Sequence, residues 1–414
     1  MSRGLIISFA IPLALGGLCF SEQKTTIQGT PRPWRFHVQE IDRSLKVGYA
    51  VLLADVNADR RIDIVVVDTQ RVIWFENPTW QMHYILKGQT KPDNVCIAAH
   101  DIDRDGRLDF ALGAGWRPFD TRSDATLQWL RQTESPYQPF ELYPIDAEPS
   151  IHRIRFGDVL GEGKPQLVSV PLLGKHATRE KNWMDAPVRI TAYRIPAEPK
   201  RQRWLPETIN ASLHVAHNFH LADLDRDGRQ DILVASYEGV SWLTCPSPGR
   251  WKSVLLGVGN QENPRGNRGA SEVRLGQLGN GRLYLATVEP WHGHQLVVYI
   301  PPAKDGAELW HRRVLDEELR WGHAVWCADL DNDGSDEVIL GVRDRFSEQL
   351  GPGVRIYQCL DDQGHHWQRT VIEDGGVACE DLAVDDLDGD RRFDIVAVGR
   401  FTGNVRIYWN RTAK

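Results

Sequence analysis

The stretch DIDRDGRLDFALG, residues 101–113, sets aspartates on alternate positions, follows the third with glycine, and puts a fourth just ahead of an apolar run. Alternating carboxylates in a tight turn converge their oxygens on a hard cation, and glycine supplies the sharp bend. The pattern recurs as DVNADRRIDIVVV from Asp55, DLDRDGRQDILVA from Asp223, DLDNDGSDEVILG from Asp329 and DLDGDRRFDIVAV from Asp386. Two weaker copies, GDVLGEGKPQLVSV around Asp158 and GQLGNGRLYLATV around Gln277, bring the count to seven. Units that repeat along a chain bury their apolar faces by stacking on one another, so the repeat decides the fold.

Each copy has the same surroundings. An apolar stretch such as VCIAAH, HNFHLA or AVWCA precedes the acidic loop and a β-branched run follows it, the signature of a strand, a tight loop and a second strand. A third strand comes next, as in RVIWFEN, GVRIYQ and NVRIYWN. A fourth opens on Trp80, Trp204, Trp251, Trp310 or Trp367, with YQPFELYPI from Tyr137 as the variant. Four short strands per unit make a propeller blade. After Asp386 the chain has room for three strands only, and the missing tryptophan strand stands at the other end as WRFHVQEI from Trp34. The expected fold is therefore all-β: a single seven-bladed propeller over residues 32–414, closed by its N-terminal strand pairing into the last blade.

The acidic side chains are Asp101, Asp103, Asp105 and Asp109; Asp223, Asp225, Asp227 and Asp231; Asp329, Asp331, Asp333 and Glu337; and Asp386, Asp388, Asp390 and Asp394. The first loop offers Asp55, Asn57, Asp59 and Asp63. Carboxylates this crowded repel one another, and several structural calcium ions, each stapling one turn, are expected to relieve the repulsion. The loops around Asp158 and Gln277 have lost most of their carboxylates and are expected to be empty.

Because the blades align, residues at a fixed offset can be compared. Six positions before the first loop residue stand Tyr49, Val95, His152, His217, Ser271, His323 and Glu380. Six strand residues span roughly 20 Å, which puts this ring across the disc from the aspartate loops, facing a central channel. The second strands return to the same face and bring Lys175 and His176, Tyr237 and Glu238, Glu289, His292 and His294, Arg343 and Asp344, and Arg400. Imidazoles with a carboxylate suit a borderline divalent metal, so one zinc or manganese ion is expected on some of His152, His217, His292, His323 and Glu380.

The formal charge of −7 is spread along the 414 residues and offers no basic stripe, which argues against a nucleic-acid partner. Arg3 precedes an apolar run from Leu5 to Phe20, so residues 1–21 read as a signal peptide and the protein as secreted or periplasmic, with no membrane span after leader removal. Beyond that leader Cys96, Cys245, Cys327, Cys359 and Cys379 form an odd, scattered set rather than a disulfide framework.

The repeats resemble the FG-GAP/VCBS class of calcium-binding propellers. The segments SIHRIRFGDV, SLHVAHNF, SYEGV, GASEVRLG, VEPWHGHQLVVY, RWGHAVWCADLDNDG and NVRIYWN resemble the propeller domain of the aldos-2-ulose dehydratase family. That resemblance implies a metal-dependent lyase acting on a keto-sugar, and the cupin domains that follow the propeller in that family are expected to be missing here. A base, His294 or Glu289, would take the proton beside the carbonyl. Arg343, Lys175 or Arg400 would bind hydroxyls or developing charge, and Tyr237 or Glu238 would help the hydroxyl leave. Spacing leaves open which of His292 and His294 binds metal. The alternative reading is a non-catalytic propeller whose rim binds a glycan or a partner protein.

Overall fold

Seven aspartate-type turns require seven inner hairpins, and the computed structural model contains them. It describes residues 30–263, 266–303 and 308–413, so the leader assigned to 1–21 lies outside the described residues. The described chain forms seven antiparallel sheets of four strands each. Within a blade the chain runs outward from the axis: Ala50–Ala54, Asp63–Asp68, Arg71–Glu76 and Gln81–Lys87 make the first. The innermost strands touch from blade to blade around the ring, and the last, Cys379–Asp385, touches the first, Ala50–Ala54.

The closing strand is Phe36–Asp42. It pairs antiparallel with Val405–Asn410 in the blade that also holds Cys379–Asp385 and Asp394–Gly399. Among the described residues one three-residue 3-10 turn, Arg179–Lys181, is the only helical element, and no helix is long and apolar enough to cross a membrane.

Burial follows the sequence pattern. The second strands Asp63–Asp68, Asp109–Ala114, Gln166–Pro171, Asp231–Ser236 and Asp394–Gly399 are buried at every position, because neighbouring blades cover both their faces. This is why they read as near-continuous apolar runs and not as alternating ones. Each Val, Ile or Leu sealed there contributes roughly 1.5–3 kcal/mol. The outermost strands, such as Lys252–Gly257 and Leu205–Asn210, are exposed over much of their length. The five cysteines within the described residues are all free thiols.

Candidate metal centre

The ring residues reach the axis through a device that recurs in the sheets. In four blades the pairing of the innermost strand skips one residue, and the skipped residue is Val95, His152, His323 or Glu380. A β-bulge of this kind re-aims its side chain. In the other blades Tyr49, His217 and Ser271 stand just ahead of the innermost strand, each donating its backbone N–H to the second strand. Six of the seven ring residues, all but Ser271, line one cavity of about 230 Å³, together with His292, Arg343 and Arg400. Trp116, Phe119 and Trp291 add an aromatic wall.

Hydrogen bonds fix the imidazole tautomers. Nδ1 of His323 is 2.6 Å from the Glu380 carbonyl oxygen, and Nδ1 of His217 is 2.9 Å from Glu272 Oε1 and 3.2 Å from the Ser271 carbonyl. The Glu380 and Ser271 carbonyl oxygens only accept, so both rings carry their proton on Nδ1 and present a bare Nε2. Nε2 of His292 lies 3.2 Å from Nε2 of His217, and one nitrogen from each of His217, His292 and His323 falls within a 4.8 Å cluster. Ligands on a tetrahedral ion with metal–nitrogen bonds of about 2.0–2.1 Å stand about 3.3–3.4 Å apart, so the 3.2 Å between His217 and His292 fits a divalent metal. Burial, reinforced by nearby arginines, holds all three imidazoles well below their usual pKa and keeps them neutral. His152 is different: its Nδ1 meets the His217 carbonyl at 2.8 Å, and its Nε2 accepts from Arg153 Nη1 at 3.3 Å, which turns its lone pair away from the cluster.

Glu380 stands beside the histidines, with Oε1 3.8 Å from His323 Nε2. Arg400 donates to it and Arg343 Nη1 lies 3.7 Å from Oε2. Burial still pushes its carboxyl up, and Oε2 has no hydrogen-bond partner. Tyr49 donates its hydroxyl to Asp93 at 3.0 Å under the Arg400 guanidinium, 5.7 Å from the ring.

The turn VEPWHGH is split three ways. His292, at φ 48°, takes a left-handed conformation that points it to the cavity, with Trp291 stacked on it at 4.5 Å. Gly293 is required next to it, since a Cβ there would sit 2.1 Å from the Glu289 carbonyl oxygen. Glu289, expected as a base, is sealed inside the blade instead: Thr287 Oγ1 at 3.0 Å and Tyr299 OH and Arg312 Nε, both at 2.8 Å, donate to it. That carboxylate anchors the turn and does not reach the cavity. His294, the other expected base, lines a separate depression with Leu319, Trp321 and Phe346.

Tyr237 is buried behind the cavity wall, 6.3 Å from Trp291, and burial pushes its phenol up to about 12. Glu238 accepts from His214 Nδ1 at 2.8 Å and Ser236 Oγ at 2.9 Å, and Lys175 lies on the exposed rim 3.8 Å from Asp124. None of these three lines the cavity. Glu272, Arg153 and the Tyr49–Asp93 pair are functional neighbours that sequence reasoning missed. The signal for Glu272 and Arg153 was the position one past the ring, which reads Arg153, Asn218, Glu272 and Asp381 in four of the blades.

At the opposite face the first loop acid caps its own turn: Asp101 takes the N–H groups of Asp105 and Gly106 at 3.1 and 3.0 Å, and Asp55, Asp223, Asp329 and Asp386 bond likewise. The ninth position, Asp63, Asp109, Asp231, Glu337 or Asp394, is buried and accepts the N–H of the second loop residue. Burial pushes Asp109 and Asp394 up to about 7. Carboxylates converge as Asp101, Asp103 and Asp109; Asp223, Asp225 and Asp231; Asp329, Asp331 and Asp333; and Asp386, Asp388 and Asp394. The first loop makes no such group, and its Asn57 donates to Glu76 at 3.2 Å. Three fifth-position acids turn aside to arginines, Asp105 to Arg131 at 2.6 Å and Asp227 and Asp390 to Arg229 and Arg392, whereas Asp333 joins its converging group.

The cavity residues His152, His217 and His292 fall within one continuous stretch of similarity to a known domain. Residues 125–302 match the family described as aldos-2-ulose dehydratase, beta-propeller domain. Residues 55–112 match the FG-GAP-like repeat. The aldos-2-ulose dehydratase of Phanerodontia chrysosporium is 26% identical over 265 residues, which cover 59% of this chain and 29% of that protein. The chain thus spans less than a third of that relative's length. Among solved structures, BBS1N in complex with ARL6DN matches with a TM-score of 0.56 at 12% identity, covering 93% of this chain and 99% of that one. Sqt1 of Saccharomyces cerevisiae matches with a TM-score of 0.51 at 13% identity, covering 85% of this chain and 82% of that one. These two likenesses show the fold alone. The chain is a seven-bladed propeller with FG-GAP-like repeats, similar over part of its length to the dehydratase propeller.

Proposed function

We propose that this protein is a metal-dependent lyase that removes water from a keto-sugar in the histidine-lined cavity. The observation that carries the proposal is the convergence of three neutral imidazole nitrogens, two of them 3.2 Å apart, beside a carboxylate with one unbonded oxygen. Similarity to the dehydratase propeller supports the reaction class and a carbohydrate substrate. A zinc or manganese ion on His217, His292 and His323 would supply Lewis acidity for a ketone oxygen and lower the cost of an enolate.

The chain's own groups do the rest. Glu380, its carboxyl raised by burial and its Oε2 unbonded, takes the proton from the carbon beside the ketone. Tyr49, held by Asp93, faces the same cavity and gives a proton to the departing hydroxyl. Arg343 and Arg400 balance the charge on Glu380 and offer donors to sugar hydroxyls. Trp116 and Trp291 supply flat apolar walls for a sugar ring.

The aspartate loops carry a separate, structural proposal. Four of them hold three converging carboxylates each, which suits calcium at the concentrations found outside the cell, where the leader would send the chain. In the first loop, which lacks that convergence, calcium binding is correspondingly weaker.

The test is metal analysis of protein washed free of calcium, together with absorbance of the enone formed from keto-sugars. The expected result is about one equivalent of zinc or manganese, lost with the activity when His217 and His323 become Ala while the circular-dichroism spectrum is kept. Protein that retains no transition metal and turns over no keto-sugar overturns the lyase reading. Saturable sugar binding without turnover establishes the glycan-binding alternative instead.

A further inference from the structure

Beyond the histidines the channel continues toward the aspartate loops as a second cavity of about 520 Å³. Arg153 is common to the walls of both cavities. The second cavity takes its basic lining from the innermost strands, Arg153 and Arg155 from one blade and Arg274 from the blade after next, with Asn218 and His220 between them; Gln230, Asp381 and Asp385 line it as well. Arg153 and Arg155 share a face, as do Asn218 and His220, because strand residues two apart point the same way.

The three arginines are bonded only to neutral groups among the described residues. Arg153 Nη1 bonds the His152 carbonyl at 3.1 Å as well as that ring's Nε2. Arg155 Nη2 donates to Asn218 Oδ1 at 3.0 Å, and its Nη1 is buried with no partner. Arg274 donates to the Val325 carbonyl and meets His220 Nδ1, both at 3.0 Å. Arg155 and Arg274 thus flank a single strand, one bonded to Asn218 and the other to His220 two residues on. Each guanidinium lies over an aromatic ring, Arg155 4.5 Å from Phe219 and Arg274 4.3 Å from Trp326.

Among the described residues no carboxylate pairs with them directly, and Asp381 and Glu272 offset their charge only from a distance. Asp381 spends its oxygens on the Val51 and Leu382 N–H groups, both at 3.0 Å, and Glu272 is taken by His217 and Asn218. Guanidinium groups partly withdrawn from water without a paired counter-ion are costly, and a bound anion lowers the cost. Burial and the repulsion of Arg274 and Arg153 push Arg155 down to about 9, with Asp381 and Glu272 opposing the shift.

We propose that this cavity binds a tetrahedral oxyanion of the sulfate or phosphate type between Arg155 and Arg274, with Arg153 separating it from the metal centre. Planar guanidinium forks match such oxygens, whereas they gain nothing comparable from chloride. The oxyanion is either free in solution or an ester group on a sugar, since the cavity is larger than the ion itself.

Titration calorimetry of the full calcium-loaded chain with sodium sulfate, in low-chloride buffer, tests the site. One saturable equivalent is expected, weakened at least about tenfold in Arg155→Met and in Arg274→Met, and unchanged in His323→Ala. Sulfate should also raise the melting temperature of the unmutated protein more than chloride at equal ionic strength, a reading that needs no variant to fold. Glucose 6-sulfate binding more tightly than sulfate assigns the site to a sugar ester, and equal or weaker binding assigns it to the free ion. Absence of saturable binding up to about 10 mM sulfate or phosphate overturns the proposal, as does an Arg274→Met protein that binds sulfate as the unmutated one does.

Discussion

The two ends of the central channel are built on opposite plans. At the aspartate end each candidate cation site is drawn from nine consecutive residues and is held by its own turn, as Asp101 holds the N–H groups of Asp105 and Gly106. At the histidine end the ligands come from three blades, and two of the imidazoles are oriented by the neighbouring blade: His217 by Glu272 and Ser271, His323 by the Glu380 carbonyl. A local site survives wherever its turn forms. The distributed one exists only when the blades stand in register, so its geometry reports on the whole ring.

The largest expected effect that separates the two plans is at Glu272. Glu272→Gln keeps the shape and replaces the carboxyl behind His217 with a weaker amide acceptor, so zinc or manganese affinity should drop about 10- to 100-fold in a competition titration, with calcium content unchanged. Metal affinity equal to that of the unmutated chain would show that Glu272 does not orient His217. Next in size is calcium removal: each loop site filled at 100 times its dissociation constant contributes about 2.7 kcal/mol, so chelation should lower the melting temperature and calcium should restore it. A melting curve indifferent to chelator, with no calcium in the protein, would break the local half of the comparison. The smallest effect is expected at Arg131, which holds Asp103 at 2.5 Å and Asp105 at 2.6 Å. Arg131→Met should free both carboxylates and tighten calcium at that loop by only a few-fold, since exposed ion pairs are worth about 0–1 kcal/mol.

The same contrast explains what could be read in advance. Seven aligned units give the blade count, the strand order and the closure by the segment from Trp34, because periodicity is written along the chain. The ring of Tyr49, His152, His217, His323 and Glu380 was legible for the same reason, as one offset repeated. The turn after the fifth blade's second strand was not. Glu289, His292 and His294 are near neighbours in sequence, but a left-handed residue and a required glycine send them to a blade interior, the cavity and a separate depression. No period governs such a turn. Nor does spacing reveal the arginines that divert Asp105, since Arg131 arrives from another strand. The bulges at Val95, His152, His323 and Glu380 are likewise properties of strand pairing and leave no mark in a single strand's pattern.

Pairing of Phe36–Asp42 with Val405–Asn410 orders the events of synthesis. The strand made early waits for a partner that emerges after some 370 further residues, so long-range closure comes last and is expected to be slow. A ribosome that stalls before that partner leaves an open arc of blades, and an arc has no axis for the imidazoles to share.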